Sequence, residues 1–311
     1  MPDFFKGFFR KKYIIGLDIG SASIKLAQFL RHENGLHLIG AKFLEISKYK
    51  DAVISLKEIL SDVDVKNSQV ITLVNSNEAM IKRIVLPGMP VSELKEALSL
   101  EAKNFFPVSV TDSLLDFEIT GEAREKGIKK TELLAGICPN AVIKEHLSLL
   151  AEAGLEPARI IHPSLSLYNL LKLKLEGSAC LPVRQGLAPD SQSHKKLKEV
   201  HNVAALDIGK NFSELIIVRD AKLAFNRKLP VCGDDFTKAA MSPLASASGR
   251  IELTYEEAEK IKREYGLPNE LNAQLVENKI TTTQLFSLLR PVAEKLAQEI
   301  ERSFDFYREE T

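Results

Sequence analysis

The sequence is poor in cysteine, lacks tryptophan and contains no long apolar run. Only 3 of its 311 residues are cysteines, and Cys138, Cys180 and Cys232 show neither zinc-ligand spacing nor the density of a disulfide framework. No stretch approaches the roughly 18 apolar residues of a membrane-spanning helix, and the N-terminus lacks the apolar core and cleavage site of a signal peptide. We therefore expect a cytosolic protein in a reducing compartment.

The chain also lacks an excess of charge of either sign. Its 42 lysines and arginines balance 42 aspartates and glutamates, whereas proteins that neutralise nucleic-acid phosphates, or carry a polybasic membrane-binding surface, need surplus cations. We therefore expect no nucleic-acid partner. The hydrophobic fraction of 45% and the charged fraction of 27% are ordinary for a globular protein. A chain of 311 residues is long enough for two domains.

Residues 1–12 form an amphipathic segment with two interpretations. Four phenylalanines stand at helical spacing before three cations: Phe4, Phe5, Phe8, Phe9, Arg10, Lys11 and Lys12. The segment either lies on an anionic membrane surface or packs its phenylalanines on the protein body. We favour the body, because so short a helix binds lipid only weakly. Membrane association is then indirect or limited to this weak contact.

One pattern of three strands occurs twice in the sequence. In both copies the first strand ends in Asp-Ile-Gly, beginning at Asp18 and at Asp207. The strands are predicted over 13–18, 23–30 and 36–43 in the first copy, and around 202–207, 213–219 and 222–227 in the second. Such internal duplication predicts two related lobes.

The residues between and after the two copies predict an inserted unit, a linker and several helices. Helices are predicted over 51–60, 91–105, 140–153, 255–265 and 282–310. Further strands are predicted over 69–74, 81–86, 114–119 and 132–137, with a polar loop over 121–130. We therefore predict these domains: a first lobe of 13–77 and 158–177, a strand-helix-strand-strand insertion of 78–157, a flexible linker of 178–200 and a second lobe of 201–311.

The Asp-Ile-Gly turns are candidate phosphate and metal sites. Glycine in a tight turn lets backbone amides approach a phosphate closely. A carboxylate at each strand end suits Mg²⁺, which prefers one or two carboxylates together with phosphate oxygens and retained water. We expect Asp18 and Asp207 to face each other across a cleft and to hold Mg²⁺ through water. A plain hairpin turn is the alternative for either copy alone, but two matching copies favour a site.

The helix predicted from Tyr255 carries a second candidate group. Thr254 and Glu257 have the spacing of a capping box, and Glu259 and Lys262 lie at i,i+3. On spacing alone, Glu259 and Lys262 are a solvent-exposed ion pair.

The sequence resembles the actin-like ATPase superfamily, which includes actin, sugar kinases, heat-shock chaperones and FtsA, and within it the PilM family of type IV pilus assembly. The resemblance covers nearly the whole chain. Its main segments are 17–26, 84–87, 100–102, 106–107, 115–117, 205–209, 233–237, 255–262 and 299–307. It implies an α/β actin-like ATPase fold with two related RNase H-like lobes and an inserted strand-helix-strand-strand (1C) subdomain.

The resemblance implies ATP and Mg²⁺ as cofactors. The implied ATP-binding residues are Gly20, Ser21, Ala22, Ser23 and Lys25 in the first lobe, and Gly209, Lys210, Asn211, Gly233, Glu259, Lys262 and Arg263 in the second. The last three of these match the helix that lines the adenosine pocket. Thr237 matches the family's threonine, but Cys232 replaces the usual first glycine of the Gly233 loop.

The resemblance also implies a partner and a location. It indicates a cytoplasmic scaffold, peripheral at the inner face of the inner membrane, within the inner-membrane pilus assembly complex. The scaffold would bind the N-terminal cytoplasmic tail of PilN in a groove bordered by the first lobe and the insertion. Homo-oligomerisation stays open.

In the family, the helix ending near Tyr307 is followed by a strand, a Gly-Gly loop and further helices, whereas this sequence ends at Thr311. We therefore expect a second lobe that is incomplete at its C-terminus, with an open sheet edge and a weakened ATP site. One alternative function is a partner-binding pseudo-ATPase that binds no nucleotide. Another is a small-molecule kinase, which needs an acidic base that no motif supplies. Slow ATP hydrolysis is compatible with a scaffold, and efficient turnover is not expected.

Overall fold

The computed structural model describes residues 11–33, 35–46, 51–125, 127–175, 202–246, 249–269, 275–276 and 279–310. The chain divides into two compact units, a first of 1–205 with 216–226 and a second of 206–215 with 227–311. Apart from Lys11 and Lys12, the predicted amphipathic segment of 1–12 lies outside the described residues, and so does the predicted linker of 178–200. The predicted domain boundaries stay a prediction.

The first unit begins with the predicted meander. Its elements are β1 (Tyr13–Ile19), β2 (Ser23–His32), β3 (Gly35–Glu45), α1 (Ala52–Ile59) and β4 (Ser68–Leu73). β2 pairs antiparallel with both β1 and β3, which confirms the meander, and β4 lies parallel to β1. The carboxyl ends of β1 and β4 therefore meet at one edge of the sheet.

The strand-helix-strand-strand run follows as a sheet of its own with one helix. Its elements are β5 (Met80–Pro87), α2 (Val91–Phe105), β6 (Ser113–Glu125) and β7 (Ile128–Pro139), with strand order β5-β7-β6. The prediction of a polar loop over 121–130 is wrong, because β6 and β7 continue through most of it. Polar residues such as Glu122 and Lys129, whose side chains form an ion pair at 2.7 Å, line an exposed hairpin end. In such an exposed hairpin end, apolar and polar residues do not alternate, so the sequence pattern does not predict its strands.

The chain then returns to the first sheet. α3 (Asn140–Glu152) is followed, after Ala153, by Gly154, whose φ of +77° suits glycine. β8 (Pro157–Ile161) lies parallel to β4, giving the strand order β3-β2-β1-β4-β8, and α4 (Pro163–Leu175) follows. β8 was not predicted, because a strand of five half-exposed residues has no clear period.

Along β1, buried side chains alternate with more exposed ones, which shows which face of the first sheet lies against the core. Ile15, Leu17 and Ile19 are almost fully buried, and they pack with apolar residues of β2, α1 and α3. Since side chains alternate across a strand, Asp18 lies on the opposite face from this core. The core therefore fixes β1 and leaves the carboxylate at its end accessible.

The second copy of the meander has the same element order. Its strands are β9 (Asn202–Ile208), β10 (Ser213–Arg219) and β11 (Lys222–Leu229), in the order β11-β10-β9. Asp220 and Ala221 connect the last two strands with φ values of 49° and 58°. Two successive positive φ values are typical of the type I′ hairpin turn.

The remaining elements, which all belong to the second unit, are mainly helices. Its elements are α5 (Gly233–Ala240), β12 (Leu244–Ser246), β13 (Gly249–Ile251), α6 (Tyr255–Tyr265), β14 (Leu275–Val276), β15 (Ile280–Thr281) and α7 (Thr282–Glu310). The predicted helices over 255–265 and 282–310 are confirmed. Ala258 and Ile261 of α6 pack with Leu285 and Leu289 of α7 in one apolar cluster. None of the helices in the described ranges is long and apolar enough to cross a membrane.

The packing of α2 generates a stability prediction with a control on the same helix. Leu98 is fully buried against β5 and β7, whereas Leu100 is 74% exposed. We expect Leu98→Ala to lower the free energy of unfolding by about 2–5 kcal/mol through lost transfer energy and a cavity. Leu100→Ala should change it by less than about 0.5 kcal/mol. Urea denaturation of both variants measures the difference, and equal losses would contradict this packing.

Candidate functional site

The two Asp-Ile-Gly turns close with the same hydrogen bond. In the first hairpin (residues 18–25), the Gly20 N–H donates to the Ser23 carbonyl at 2.9 Å. In the second hairpin (residues 207–214), the Gly209 N–H donates to the Phe212 carbonyl at 3.1 Å. Each bond encloses two turn residues, Ser21 and Ala22 in one and Lys210 and Asn211 in the other. The sequence duplication is therefore also a duplication of local geometry.

Both turns leave little or no room for a side chain at the glycine. A Cβ on Gly209 would lie 2.7 Å from the Phe212 oxygen, and one on Gly20 would lie 3.2 Å from the Ser23 oxygen. A contact of 2.7 Å is closer than carbon and oxygen tolerate, so Gly209 is required by the turn itself. The same lack of a side chain suits close approach of a phosphate to the backbone.

The first hairpin holds its aspartate between two donors. Lys25 Nζ lies 3.1 Å from Asp18 Oδ2, and Asn75 Nδ2 donates to Asp18 Oδ1 at 2.6 Å. Asn75 also donates to the Ile19 carbonyl at 3.1 Å. The structure thus brings together Asp18 and Lys25, two of the predicted site residues. A carboxylate has about four lone-pair directions, so Asp18 still has acceptor capacity for a metal-bound water.

Asn75 is a site residue that sequence reasoning missed. It follows β4 by two residues, and β4 lies parallel to β1. A polar residue just beyond a buried strand was the available signal, but only the parallel pairing places it beside Asp18.

The second hairpin differs from the first in charge. Asp207 is exposed at the end of β9. Seven residues later, where the first hairpin has the exposed Lys25, the second has Glu214, which is only 3% exposed. The two aspartates therefore have different neighbours, although their backbones turn in the same way.

The second hairpin is hydrogen-bonded to the start of α5. The Gly233 N–H donates to the Gly209 carbonyl at 2.8 Å, and the Asp234 N–H donates to the Lys210 carbonyl at 3.0 Å. The Cys232 N–H donates to Asp235 Oδ2 at 2.8 Å. These bonds satisfy donors that a helix start otherwise presents to an anion. The start of α5 therefore positions the hairpin, and its bonded N–H groups are not available to an anion.

Cys232 is buried at the start of α5. Its thiol donates to Asp235 Oδ2 at 3.3 Å. Burial, together with the neighbouring Asp235 carboxylate, raises the pKa of the Cys232 thiol. A protonated thiol in this place acts as a helix-capping group.

α5 and α6 meet in a hydrogen-bonded group centred on Lys262. Lys262 Nζ donates to the Gly233 carbonyl at 3.2 Å, to Thr237 Oγ1 at 2.9 Å and to Glu259 Oε2 at 2.6 Å. An ammonium has three donors, and all three are engaged here. Lys262 therefore fixes the Gly233 loop to α6.

Glu259 is the acidic member of this group. Thr237 Oγ1 lies 2.5 Å from its Oε2, and Arg263 Nε donates to its Oε1 at 2.8 Å. Burial opposes ionisation of Glu259, but the hydrogen bonds from Lys262 and Thr237 outweigh it, so the pKa of Glu259 is lowered. The carboxylate is charged at neutral pH. Arg263, half-exposed beside it, extends the group toward solvent.

The structure thus places the candidate residues in two groups, one in each unit. The first group is Asp18, Gly20, Ser21, Ala22, Ser23 and Lys25. The second group is Asp207, Gly209, Lys210, Asn211, Gly233, Glu259, Lys262 and Arg263. The described part of the chain contains no cluster of three or more histidine, cysteine or acidic side chains that could hold a metal ion. Mg²⁺ held by phosphates, waters and single carboxylates does not require one.

The lowered pKa of Glu259 predicts a pH-dependent contribution to stability. The folded pKa lies below the ordinary value of 4.5, so the ionised carboxylate stabilises the fold above that pH and loses this effect as the pH falls through the folded value. We expect Glu259→Gln to cost about 1–3 kcal/mol near neutral pH. The difference from the unsubstituted protein should shrink as the medium is acidified.

Urea denaturation of both proteins across this pH range measures the difference. Glu264→Gln, a change on the exposed side of the same helix, is the matched control and should be nearly neutral. A cost for Glu259→Gln that does not depend on pH would contradict the stabilising role of the charge.

Comparison with known proteins identifies the family. The sequence model of the family described as type IV pilus assembly protein PilM matches residues 16–311. A chain of a PilM–PilN type IV pilus biogenesis complex has a similar structure, with a TM-score of 0.72 and 22% identity, over 96% of this chain and 78% of that chain. The predicted α/β actin-like ATPase fold of the PilM type is confirmed.

Two weaker likenesses support no conclusion about the site. Ethanolamine utilization protein EutJ from Carboxydothermus hydrogenoformans has a TM-score of 0.44 at 14% identity, over 95% of this chain and 72% of that chain. MreB 5 of Spiroplasma citri bound to AMPPNP has a TM-score of 0.44 at 15% identity, over 94% of this chain and 79% of that chain.

The family model matches this chain from residue 16 to residue 311. The chain therefore belongs to the PilM family of type IV pilus assembly proteins.

Proposed function

We propose that this chain is an ATP-binding scaffold of type IV pilus assembly that binds the N-terminal cytoplasmic tail of a PilN-like inner-membrane protein. Membership of the PilM family supports the assembly role. The observation that carries the nucleotide role is the repeated Asp-Ile-Gly hairpin with the same Gly-to-carbonyl bond in both copies. A single hairpin of this kind is ordinary, but its repetition in two matching meanders favours a shared phosphate-binding role.

Each hairpin supplies one carboxylate and one glycine turn. In this proposal Asp18 and Asp207 hold waters of Mg²⁺, which neutralises phosphate charge when bound. The donors from Asn75 and Lys25 orient the Asp18 carboxylate. The first turn offers small residues, Ser21, Ala22 and Ser23, so that phosphate oxygens reach the backbone.

The group on α5 and α6 is the proposed adenosine side. Glu259 is ionised and Arg263 is half-exposed beside it, so these two side chains are the ones proposed to contact the nucleoside. A carboxylate accepts hydrogen bonds from ribose hydroxyls, and a guanidinium donates them. Lys262 and Thr237 act indirectly, because their hydrogen bonds hold the Gly233 loop and Glu259 in place.

A second candidate function is a partner-binding scaffold without nucleotide. It is favoured by two observations: Lys262 has all three donors engaged within the protein, and the first N–H groups of α5 are already bonded. Both features describe a self-contained group that does not require a ligand. Titration with nucleotide separates the two candidates.

Calorimetric titration with Mg-ATP tests the nucleotide role. We expect the unsubstituted protein to bind, and Asp18→Ala and Asp207→Ala each to weaken binding by at least about tenfold, because a charged contact is lost. Asp305→Ala, which removes an exposed carboxylate of α7, is the control and should bind normally. Absence of binding by the folded protein would exclude ATP and favour the scaffold without nucleotide.

Titration with a synthetic PilN tail peptide tests the partner role. Because the chain has no net charge, we expect apolar groove contacts to dominate. The affinity should then change by less than about threefold between low and high salt, since screening weakens only exposed charge pairs.

Replacing the apolar residues of the peptide with serine should abolish binding, and a scrambled tail should not bind. A steep loss of affinity with salt would show instead that charge pairs dominate. Failure of the native tail to bind would contradict the partner role, whatever the result with ATP.

A further inference from the structure

The second hairpin presents a lysine whose ammonium lies over an aromatic ring. Lys210 Nζ is 5.5 Å from the centroid of the Tyr255 ring, within the range of a cation–π interaction. Lys210 is one of the two turn residues of the second hairpin, and Tyr255 is the first residue of α6. The contact therefore joins the phosphate-binding turn to the helix proposed for adenosine.

The Tyr255 ring is itself fixed by a hydrogen bond. Its hydroxyl donates to Asp234 Oδ1 at 2.7 Å, and Lys238 Nζ pairs with Asp234 Oδ2 at 2.8 Å. Burial and the Asp234 carboxylate raise the pKa of the Tyr255 hydroxyl above its ordinary value, so it stays a donor. The tyrosine is thus held at both ends, by Asp234 at the hydroxyl and by its place in α6.

Asp234 fixes the backbone of the same lysine. Its N–H donates to the Lys210 carbonyl at 3.0 Å, while its carboxylate holds the ring beneath the Lys210 ammonium. One residue of α5 therefore positions both the main chain and, through Tyr255, the side chain of Lys210. Such pre-organisation reduces the entropy that a long side chain loses when it binds a ligand.

Lys210 differs from the neighbouring cations in what holds it. Lys262 is engaged by three acceptors, Lys238 pairs with Asp234, and Arg263 pairs with Glu259. Within the described ranges, no carboxylate oxygen lies within 4 Å of the Lys210 ammonium. An aromatic face holds a cation more weakly than a phosphate does. Lys210 is therefore a cation of this group whose ammonium can bind a phosphate without leaving a carboxylate unpaired.

We propose that Tyr255 is a positioning residue that holds Lys210 at the hairpin for the terminal phosphates of a nucleotide, and thereby sets a preference for ATP over AMP. The inference rests on the proposed nucleotide-binding function. The ammonium stays over the ring while it contacts a phosphate that AMP lacks, so its contribution depends on the number of phosphates. No bond is made or broken in this step.

Calorimetry with Mg-ATP and with AMP on a set of variants tests the proposal. Tyr255→Leu removes ring and hydroxyl, and should weaken Mg-ATP binding by about three- to tenfold while leaving AMP binding within about twofold. Tyr255→Phe keeps the ring and should restore most of the ATP affinity. Lys210→Gln should reduce the ATP-over-AMP preference by at least about tenfold. In that background Tyr255→Leu should have no further effect on the preference.

Tyr13→Leu is the matched control. The Tyr13 ring also lies under a lysine, with Lys12 Nζ 5.2 Å from its centroid. Tyr13 begins β1, so it lies at the opposite end of that strand from Asp18. The substitution should leave both affinities unchanged. Should Tyr255→Leu fail to fold, Tyr255→Met, which also lacks an aromatic face, takes its place. The proposal requires a large loss of ATP preference in Lys210→Gln, a smaller loss in Tyr255→Met and almost none in Tyr255→Phe.

The outcomes separate this inference from the function on which it rests. If the unsubstituted protein binds neither nucleotide, the nucleotide function fails and the inference falls with it. If the protein binds Mg-ATP but Lys210→Gln keeps its preference over AMP, only the inference is overturned. The inference is likewise overturned if Tyr255→Leu weakens ATP and AMP equally, since a general disturbance of α6 would do the same.

Discussion

The hydrogen bond from a glycine N–H to the carbonyl three residues later is the constraint on which both candidate groups depend. It closes the turn after β1 at Gly20 and the turn after β9 at Gly209. At Gly209 any Cβ would collide with the carbonyl that accepts the bond. The bond therefore determines the residue type, the direction in which the following strand returns and the place of the preceding aspartate.

The two copies of this turn are supported in different ways. In the first unit, a parallel strand brings Asn75 to Asp18 and a cross-strand neighbour brings Lys25. In the second unit, a helix start binds the turn carbonyls, and a second helix is joined to that start through Lys262. The group in the first unit is thus organised around a carboxylate, and the group in the second unit around a lysine and an ionised glutamate that neutralise each other.

Much of the second-unit group could be predicted from the sequence, because its residues on α6 contact neighbours only a few positions away in the chain. The capping box of Thr254 and Glu257 and the pair of Glu259 and Lys262 lie within one or two helical turns. Asn75 beside Asp18 and Tyr255 beneath Lys210 were not found, since 57 residues separate the first pair and 45 the second. The hairpin end at 121–130 was missed for another reason, because exposed strands carry no apolar alternation.

The sequence by itself determined most of the longer helices and strands, the duplicated meanders and the residue types of the two turns. These follow from period-two and helical patterns and from the need for glycine in a tight turn, which are properties of short segments. Only the tertiary structure decided which side chains share a site: that Lys262 is engaged within the protein, that the start of α5 serves the hairpin, and that Lys210 rests on Tyr255. Those contacts join residues far apart in the chain, and they depend on how sheet and helices pack, which no local pattern encodes.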